Sequence, residues 1–267
     1  LNVARIARII GGMTRHNNRP VAVVTGSARG IGRGVAECLA ADGYAIVISD
    51  VRGDAAEKTA AEFVVAGHKA VAAAADITDP VACAAMVQTA IDAFGRVDVL
   101  VNSAGISAPK PSLDLTAEDW RRMIDIQLNG AFFTAQAAGR AFTRQGSGNI
   151  VFISSINAEA AFPARTAYSC AKAGVAMLTK SLAIEWARLG IRVNAVGPCH
   201  TETEMTQQNI AKGNVDVASI QRRVPMGRLA RVDDVANAVS FLVSDKASFI
   251  TGQSLYVDGG YLAYGYF

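Results

Sequence analysis

The sequence predicts a single-domain α/β fold, a doubly wound parallel sheet of Rossmann type with about seven strands. Three observations predict it. Short β-branched runs alternate regularly with Ala-rich stretches of helical length. Of the 267 residues 51% are hydrophobic and 18% charged, enough apolar material for a sheet covered on both faces. No Pro/Ser-rich linker, composition shift or internal repeat divides the chain.

The strand candidates are 21–25, 45–50, 70–74, 97–102, 150–154, 191–196 and 254–257. Each is short, rich in Val, Ile or Ala, and bounded by turn-forming residues. Amphipathic segments at 30–41, 54–66, 81–94, 118–143, 167–188 and 232–243 lie between them and read as helices. The stretch 198–227 follows the sixth strand and has no clear period. Ligands of parallel sheets bind outside the carboxyl ends of the strands, so this stretch is expected to cover one. Residues 1–19 are expected to be a poorly ordered extension rather than a targeting peptide, with the domain running over 20–267.

Charge and cysteine usage narrow the function. Of the formal net charge of +3, the arginines at 5, 8, 15 and 19 account for more than all, leaving the remainder at −1. A near-neutral body lacks the basic stripe that a nucleic-acid partner needs. Cys38, Cys83, Cys170 and Cys199 are widely spaced and His16, His68 and His200 do not cluster with them, so neither a metal site nor a disulfide framework is expected. Free thiols and the lack of any apolar run of ~18–20 residues fit a cytoplasmic protein without a membrane anchor.

Directly after the first strand comes Thr25-Gly26-Ser27-Ala28-Arg29-Gly30-Ile31-Gly32, opening into a helix. Glycines allow a tight turn and close approach of backbone to a pyrophosphate, and a helix N-terminus presents unpaired N–H groups. The spacing differs from the commoner G-x-G-x-x-G, so the turn by itself is equally compatible with an ordinary Gly-rich loop. Asp50, 24 residues after Gly26 and followed by Val51, ends the second strand. An acid there can accept hydrogen bonds from ribose hydroxyls and repel a 2′-phosphate, which favours NAD over NADP. Arg29 and Arg52 pull the other way, because a guanidinium can hold a phosphate. Asp76 and Ile77 end the third strand where an adenine would lie, and Asn102, Ser103, Ala104 and Gly105 end the fourth with small residues.

Tyr168 and Lys172 are four apart in a helical segment and share a face; Ser155 lies 13 residues before Tyr168 at the end of the fifth strand. A free phenol titrates near pH ~10 and is a weak base at neutrality, but a neighbouring ammonium and an oxidised nicotinamide both favour the phenolate. Ser155 would hold the substrate oxygen while Tyr168 takes or gives the proton. Such a Tyr-x-x-x-Lys pair is common on helices; its meaning here comes from its place after the glycine turn, the acidic strand end and the serine.

These motifs resemble the short-chain dehydrogenase/reductase family, in the branch that holds β-ketoacyl carrier-protein reductases and many sugar and polyol dehydrogenases. The resemblance spans about residues 20–261 and includes TGSARGIG, DIT at Asp76, NSAG at Asn102, the Ser155/Tyr168/Lys172 set, VNAVGP ending at Pro198 and ITGQSLYVDGG. It implies an NAD(P)-dependent oxidoreductase acting on CH–OH groups and a homotetramer, built through the helices near 118–143 and 167–188 and through the last strand and its tail. It places Pro198, Thr201 and Thr203 at the nicotinamide amide and Lys172 on the cofactor ribose. The chain departs from the family at Gln127, where an asparagine usually joins a proton relay, and at Cys199, where a glycine is usual.

For the substrate, Asn157, Glu159, Arg165, His200, Glu202 and Gln207 are the polar candidates, and Tyr261, Tyr264, Tyr266 and Phe267 could pack near a neighbouring subunit's site. The leading reading is a dehydrogenase of a small sugar, polyol or other secondary alcohol. A 3-oxoacyl-(acyl-carrier-protein) reductase using NADPH is the alternative, with Asp50 and the near-neutral body against it. A catalytically silent dinucleotide-binding protein is the third, motivated by Gln127 and opposed by the intact Ser155, Tyr168 and Lys172.

Overall fold

A computed structural model describes residues 19–211 and 216–265. The expectations for residues 1–18 and for Tyr266 and Phe267 lie outside the described residues. Seven strands form one sheet: β1 (Val21–Thr25), β2 (Ala45–Asp50), β3 (Ala70–Ala74), β4 (Val99–Asn102), β5 (Gly148–Ile153), β6 (Ile191–Pro198) and β7 (Ser254–Val257). All pairings are parallel, in the order β3-β2-β1-β4-β5-β6-β7. The chain winds one way from β1 to β3 and the other way from β4 to β7, so the crevice opens where β1 meets β4. Register aligns their carboxyl ends there, Thr25 opposite both Ser49 and Asn102.

Period-two alternation divides each central strand between two cores. Val21 and Val23 point to one side, Ala22 and Val24 to the other, and all four are fully buried. The first core packs against α3 (Pro80–Phe94), α5 (Gly130–Gln145) and α6 (Thr166–Trp186); Phe142, Met86 and Phe152 are its large members. The second packs against α1 (Gly30–Ala41), α2 (Gly53–Val65) and α9 (Val232–Val243), through Leu39, Phe63 and Leu242. Each fully buried Leu or Phe contributes ~1.5–3 kcal/mol, so the sheet holds the crevice rigidly from both faces.

Local chemistry sets the helix ends. Asp79 accepts from Val81 N–H, Pro80 follows, and Gly95 closes α3 at φ 82°. Thr116 and Asp119 form a reciprocal capping box at the start of α4 (Ala117–Ile124).

Two expectations are corrected. The single helix expected over 118–143 is α4 and α5 joined by a π-turn at Asp125–Asn129. Amphipathic period carries no sign of an i→i+5 turn, and such bulges gather at functional sites. The stretch 198–227 contains α7 (Glu204–Ala211) and α8 (Val217–Arg223), short helices with weak apolar faces. Their base is held by an isolated parallel bridge between Thr201 and Ala230: Glu202 N–H donates to the Ala230 carbonyl and Ala230 N–H to the His200 carbonyl.

Candidate active site

The carboxyl ends of the strands border a cleft of about 1580 Å³. Its floor begins at the β1–α1 turn. Gly26, at φ 62°, lies so close to the next strand end that a Cβ would sit 2.7 Å from Ala104 Cα. Gly32 is tighter, its Cβ position 2.4 Å from the Gly26 carbonyl oxygen. Thr25 completes the arrangement, its hydroxyl accepting from the N–H groups of Ser103 and Ala104 at 3.1 Å each. Helix α1 has no side-chain cap, so its N-terminal N–H groups face the cleft unoccupied by protein.

Arg29, Gly30, Ile31, Asp50, Val51, Asp76, Ile77, Ala104, Gly105, Pro198, Thr201 and Thr203 all line this cleft, as expected from their positions. Asp50 is 8% exposed and accepts from the Arg52 N–H at 3.1 Å and, more loosely, from its side chain at 3.4 Å. Asp76 holds its own loop through Thr78, and Ile77 is braced where a Cβ on Gly130 would meet it at 2.7 Å. Thr203 lies across the cleft from Gly30 and accepts from Thr206 N–H, beginning α7.

Ser27 and Asn102 fall outside the lining. The Ser27 hydroxyl donates to Val24 at 2.7 Å and accepts from Ser49 N–H at 3.0 Å, stitching the turn to β2. Asn102 donates to Thr134 at 2.8 Å, tying β4 to α5. Both shape the cleft from behind. Thr25 is the converse case: it heads the glycine turn in the sequence, and nothing in a lone threonine signals that its hydroxyl pins two backbone amides.

At the other end Ser155, Tyr168 and Lys172 meet. Ser155, 7% exposed, accepts from Asn157 N–H at 3.1 Å and donates to the Asn157 side chain at 3.2 Å. The Tyr168 phenol lies near enough to feel the Ser155 hydroxyl. Lys172 is buried, with Nζ over the Tyr168 ring 5.6 Å from its centroid and donating to the Ile153 carbonyl at 2.8 Å. Burial pushes the Lys172 ammonium down to about 8, so it keeps most of its charge at neutral pH. Burial pushes the Tyr168 phenol up, against the Ser155 hydroxyl and the charge of Arg165, which pull it down. Arg165 is therefore the cation whose charge bears on the phenol, a contribution that spacing along the helix did not reveal.

Gln127 sits in the π-turn, 3% exposed, with its amide packed where a Cβ on Gly105 would be. Nε2 donates to the Ile106 carbonyl at 2.6 Å and Oε1 has no partner. Ser49 Oγ and Ser154 Oγ are also buried without partners in residues lining the cleft. Partnerless buried oxygens are costly, and three bordering one crevice fit a polar ligand that would satisfy them.

Of the polar substrate candidates, Asn157, Arg165 and His200 line the cleft. Glu159 is turned to another partner, the Tyr256 hydroxyl at 2.9 Å, and Glu202 and Gln207 lie outside the lining. Ile106, Ser107 and Phe162 line it without having been singled out. Among the described residues no helix is long and apolar enough to cross a membrane, and no His, Cys, Asp and Glu group could hold a metal ion.

Residues 26–262 match the family model described as enoyl-(acyl carrier protein) reductase. Among curated relatives, the chain is similar to cis-4-hydroxycyclohexanecarboxylate dehydrogenase of Sinomonas cyclohexanicum, 46% identical over 91% of this chain and 96% of the relative. It is also similar to 3-oxoacyl-[acyl-carrier-protein] reductase of Synechocystis sp., 38% identical over 90% of this chain and 96% of the relative. Among solved structures, gluconate 5-dehydrogenase of Burkholderia cenocepacia J2315 in complex with NADP and tartrate aligns with a TM-score of 0.87 at 36% identity, covering 92% of this chain and 96% of that one.

Proposed function

Because the chain belongs to the short-chain dehydrogenase/reductase family and is an NAD(P)-dependent oxidoreductase of CH–OH groups, we propose that it oxidises a small secondary alcohol to the ketone with NAD as the preferred cofactor. The observation that carries this is the meeting of Ser155, Tyr168 and Lys172 in the cleft that the glycine turn begins.

Gly26, Arg29, Gly30, Ile31 and Gly32 would hold the pyrophosphate, Asp50 and Val51 the adenosine ribose, and Asp76 and Ile77 the adenine. Ala104 and Gly105 give close backbone approach, and Pro198, Thr201 and Thr203 would hold the nicotinamide amide. The oxidised nicotinamide supplies the acceptor for the hydride that leaves the carbinol carbon. Ser155 fixes the alcohol oxygen, and Tyr168 as phenolate accepts its proton, so the substrate loses two electrons and two hydrogens. Lys172 and Arg165 supply the positive charge that offsets burial of the phenolate, and the remaining Lys172 donors would reach ribose hydroxyls. Gln127 gives one of its two Nε2 hydrogens to Ile106, and its partnerless Oε1 is the acceptor open to a water.

Asp50 supports NAD, since a buried carboxylate repels a 2′-phosphate, while the NADP complex of the gluconate dehydrogenase shows that the fold also accepts the phosphorylated cofactor. The hydroxycyclohexanecarboxylate dehydrogenase favours a cyclic or similarly compact alcohol over an acyl-carrier-protein thioester. A homotetramer is supported by the apolar side chains exposed on α6, Met177 and Ile184, and around β7, Phe249 and Leu255.

The test is oxidation of a panel of cyclic alcohols and polyols with NAD+, followed by absorbance of reduced cofactor. Tyr168→Phe should lower kcat by ~10²–10⁴-fold with cofactor affinity nearly intact. An unimpaired variant removes Tyr168 from the chemistry.

A further inference from the structure

We propose that Arg165 binds a carboxylate on the substrate, so that the preferred alcohol is a hydroxy acid whose apolar body lies along Phe162. This rests on the dehydrogenase reading of the same cleft and names the class of alcohol it takes.

Arg165 stands three residues before Tyr168, at the N-terminal boundary of α6, half-buried in the cleft wall. Its position is fixed from two sides. Nη1 donates to Ser107 Oγ at 2.5 Å, and the backbone beside it is clamped by Lys110 N–H donating to the Ala164 carbonyl at 2.9 Å. Residues 162–165 form a turn closed by Arg165 N–H to the Phe162 carbonyl, with Pro163 second and Ala164 third. Ala164 adopts φ 59°, and it is the one non-glycine residue with positive φ among the described residues. A strained turn that is cross-braced to a second loop holds a side chain in one place, which serves recognition better than solvation does.

What that side chain lacks is an anion. Each ion pair among the described residues joins other groups, and none includes Arg165. Its one hydrogen bond goes to a neutral hydroxyl, leaving the rest of the guanidinium fork for a planar partner. Burial holds the His200 imidazole below its ordinary value and the Arg165 charge lowers it further, and the same charge pulls on the Tyr168 phenol in the downward direction. A guanidinium fork with only a neutral hydroxyl on it matches the planar, singly charged carboxylate of a hydroxy acid. The adjoining wall is apolar: Phe162 stacks on Tyr261 with centroids 5.8 Å apart, and Ile106 and Ile156 line the same cleft.

The experiment compares cis-4-hydroxycyclohexanecarboxylate, its methyl ester and cyclohexanol as substrates of the full chain with NAD+. The wild type should prefer acid over ester by ~10–100-fold in kcat/KM, the range of a hydrogen-bonded charge pair. In Arg165→Met that ratio should collapse toward one, mainly through KM for the acid, with Arg165→Lys intermediate. Any loss caused by the altered Tyr168 environment strikes all three alcohols and cancels in the ratio. Should Arg165→Met fail to fold, the wild-type acid-to-ester ratio decides alone. A wild type that oxidises cyclohexanol without preferring the acid over the ester, or a variant that keeps the wild-type ratio, overturns the proposal and leaves the dehydrogenase reading standing. A wild type that oxidises no alcohol of the panel sinks the dehydrogenase reading itself.

Discussion

The two ends of the cleft are built on different principles. At the cofactor end, room decides: Gly26 and Gly32 are positions where a methyl group would run into backbone at 2.7 and 2.4 Å, and Thr25 and Ser27 spend their hydroxyls on holding that backbone. At the other end, charge and hydrogen bonding decide: the side chains of Ser155, Tyr168, Lys172 and Arg165 project from just past β5 and from the start of α6, beside a turn that tolerates Ala164 at φ 59°. The difference teaches that a backbone packed as closely as that at Gly26 and Gly32 admits almost no variation, whereas the other end can be retuned one side chain at a time.

The contrast can be broken first where it is strongest. Gly26→Ala adds both a left-handed strain of ~1–2 kcal/mol and an overpacking cost of ~1–3 kcal/mol. It should lower the melting temperature markedly and weaken cofactor binding by at least tenfold, roughly; a variant with wild-type cofactor titration would show that backbone crowding does not govern this end. Asp50→Ala probes the one cofactor-end side chain offered as a selector. It should raise the NADP-to-NAD ratio of kcat/KM by ~10-fold, the worth of a charged hydrogen bond, and an unchanged ratio would hand the selection to Arg29 or Arg52. The smallest effect belongs to the substrate-end loop. Ala164→Gly relieves ~1–2 kcal/mol of strain but adds chain entropy of ~0.5–1 kcal/mol, a net gain of about 0.5 kcal/mol readable as a slightly higher melting temperature. A fall in melting temperature would mean that the turn is not strained.

Much of this was legible in advance because it rests on local chemistry. The glycine turn, the acid at the end of β2 and the Tyr168/Lys172 pair are each a pattern within one turn or element, and helical or strand period fixes which way each points. The interruption at Asp125–Asn129 was not legible, since a π-turn leaves the amphipathic pattern nearly intact. That Ser27 and Asn102 bond to backbone and to Thr134 from behind the cleft was hidden for a related reason. Residues of a motif can serve the ligand or the backbone that holds it, and their types are the same in both roles.

The sequence by itself determined the sheet, the order of its elements and the kinds of group at its carboxyl edge, because these follow from periodicity and from spacing within single turns. Tertiary structure alone decided which polar groups have partners. That Glu159 is engaged by Tyr256, that Gln127 has one amide atom bound and one free, and that Arg165 has a hydroxyl but no acid beside it are relations between segments 21 to 97 residues apart. Such meetings are set by how helices and loops pack over the sheet, and no local pattern along the chain encodes them.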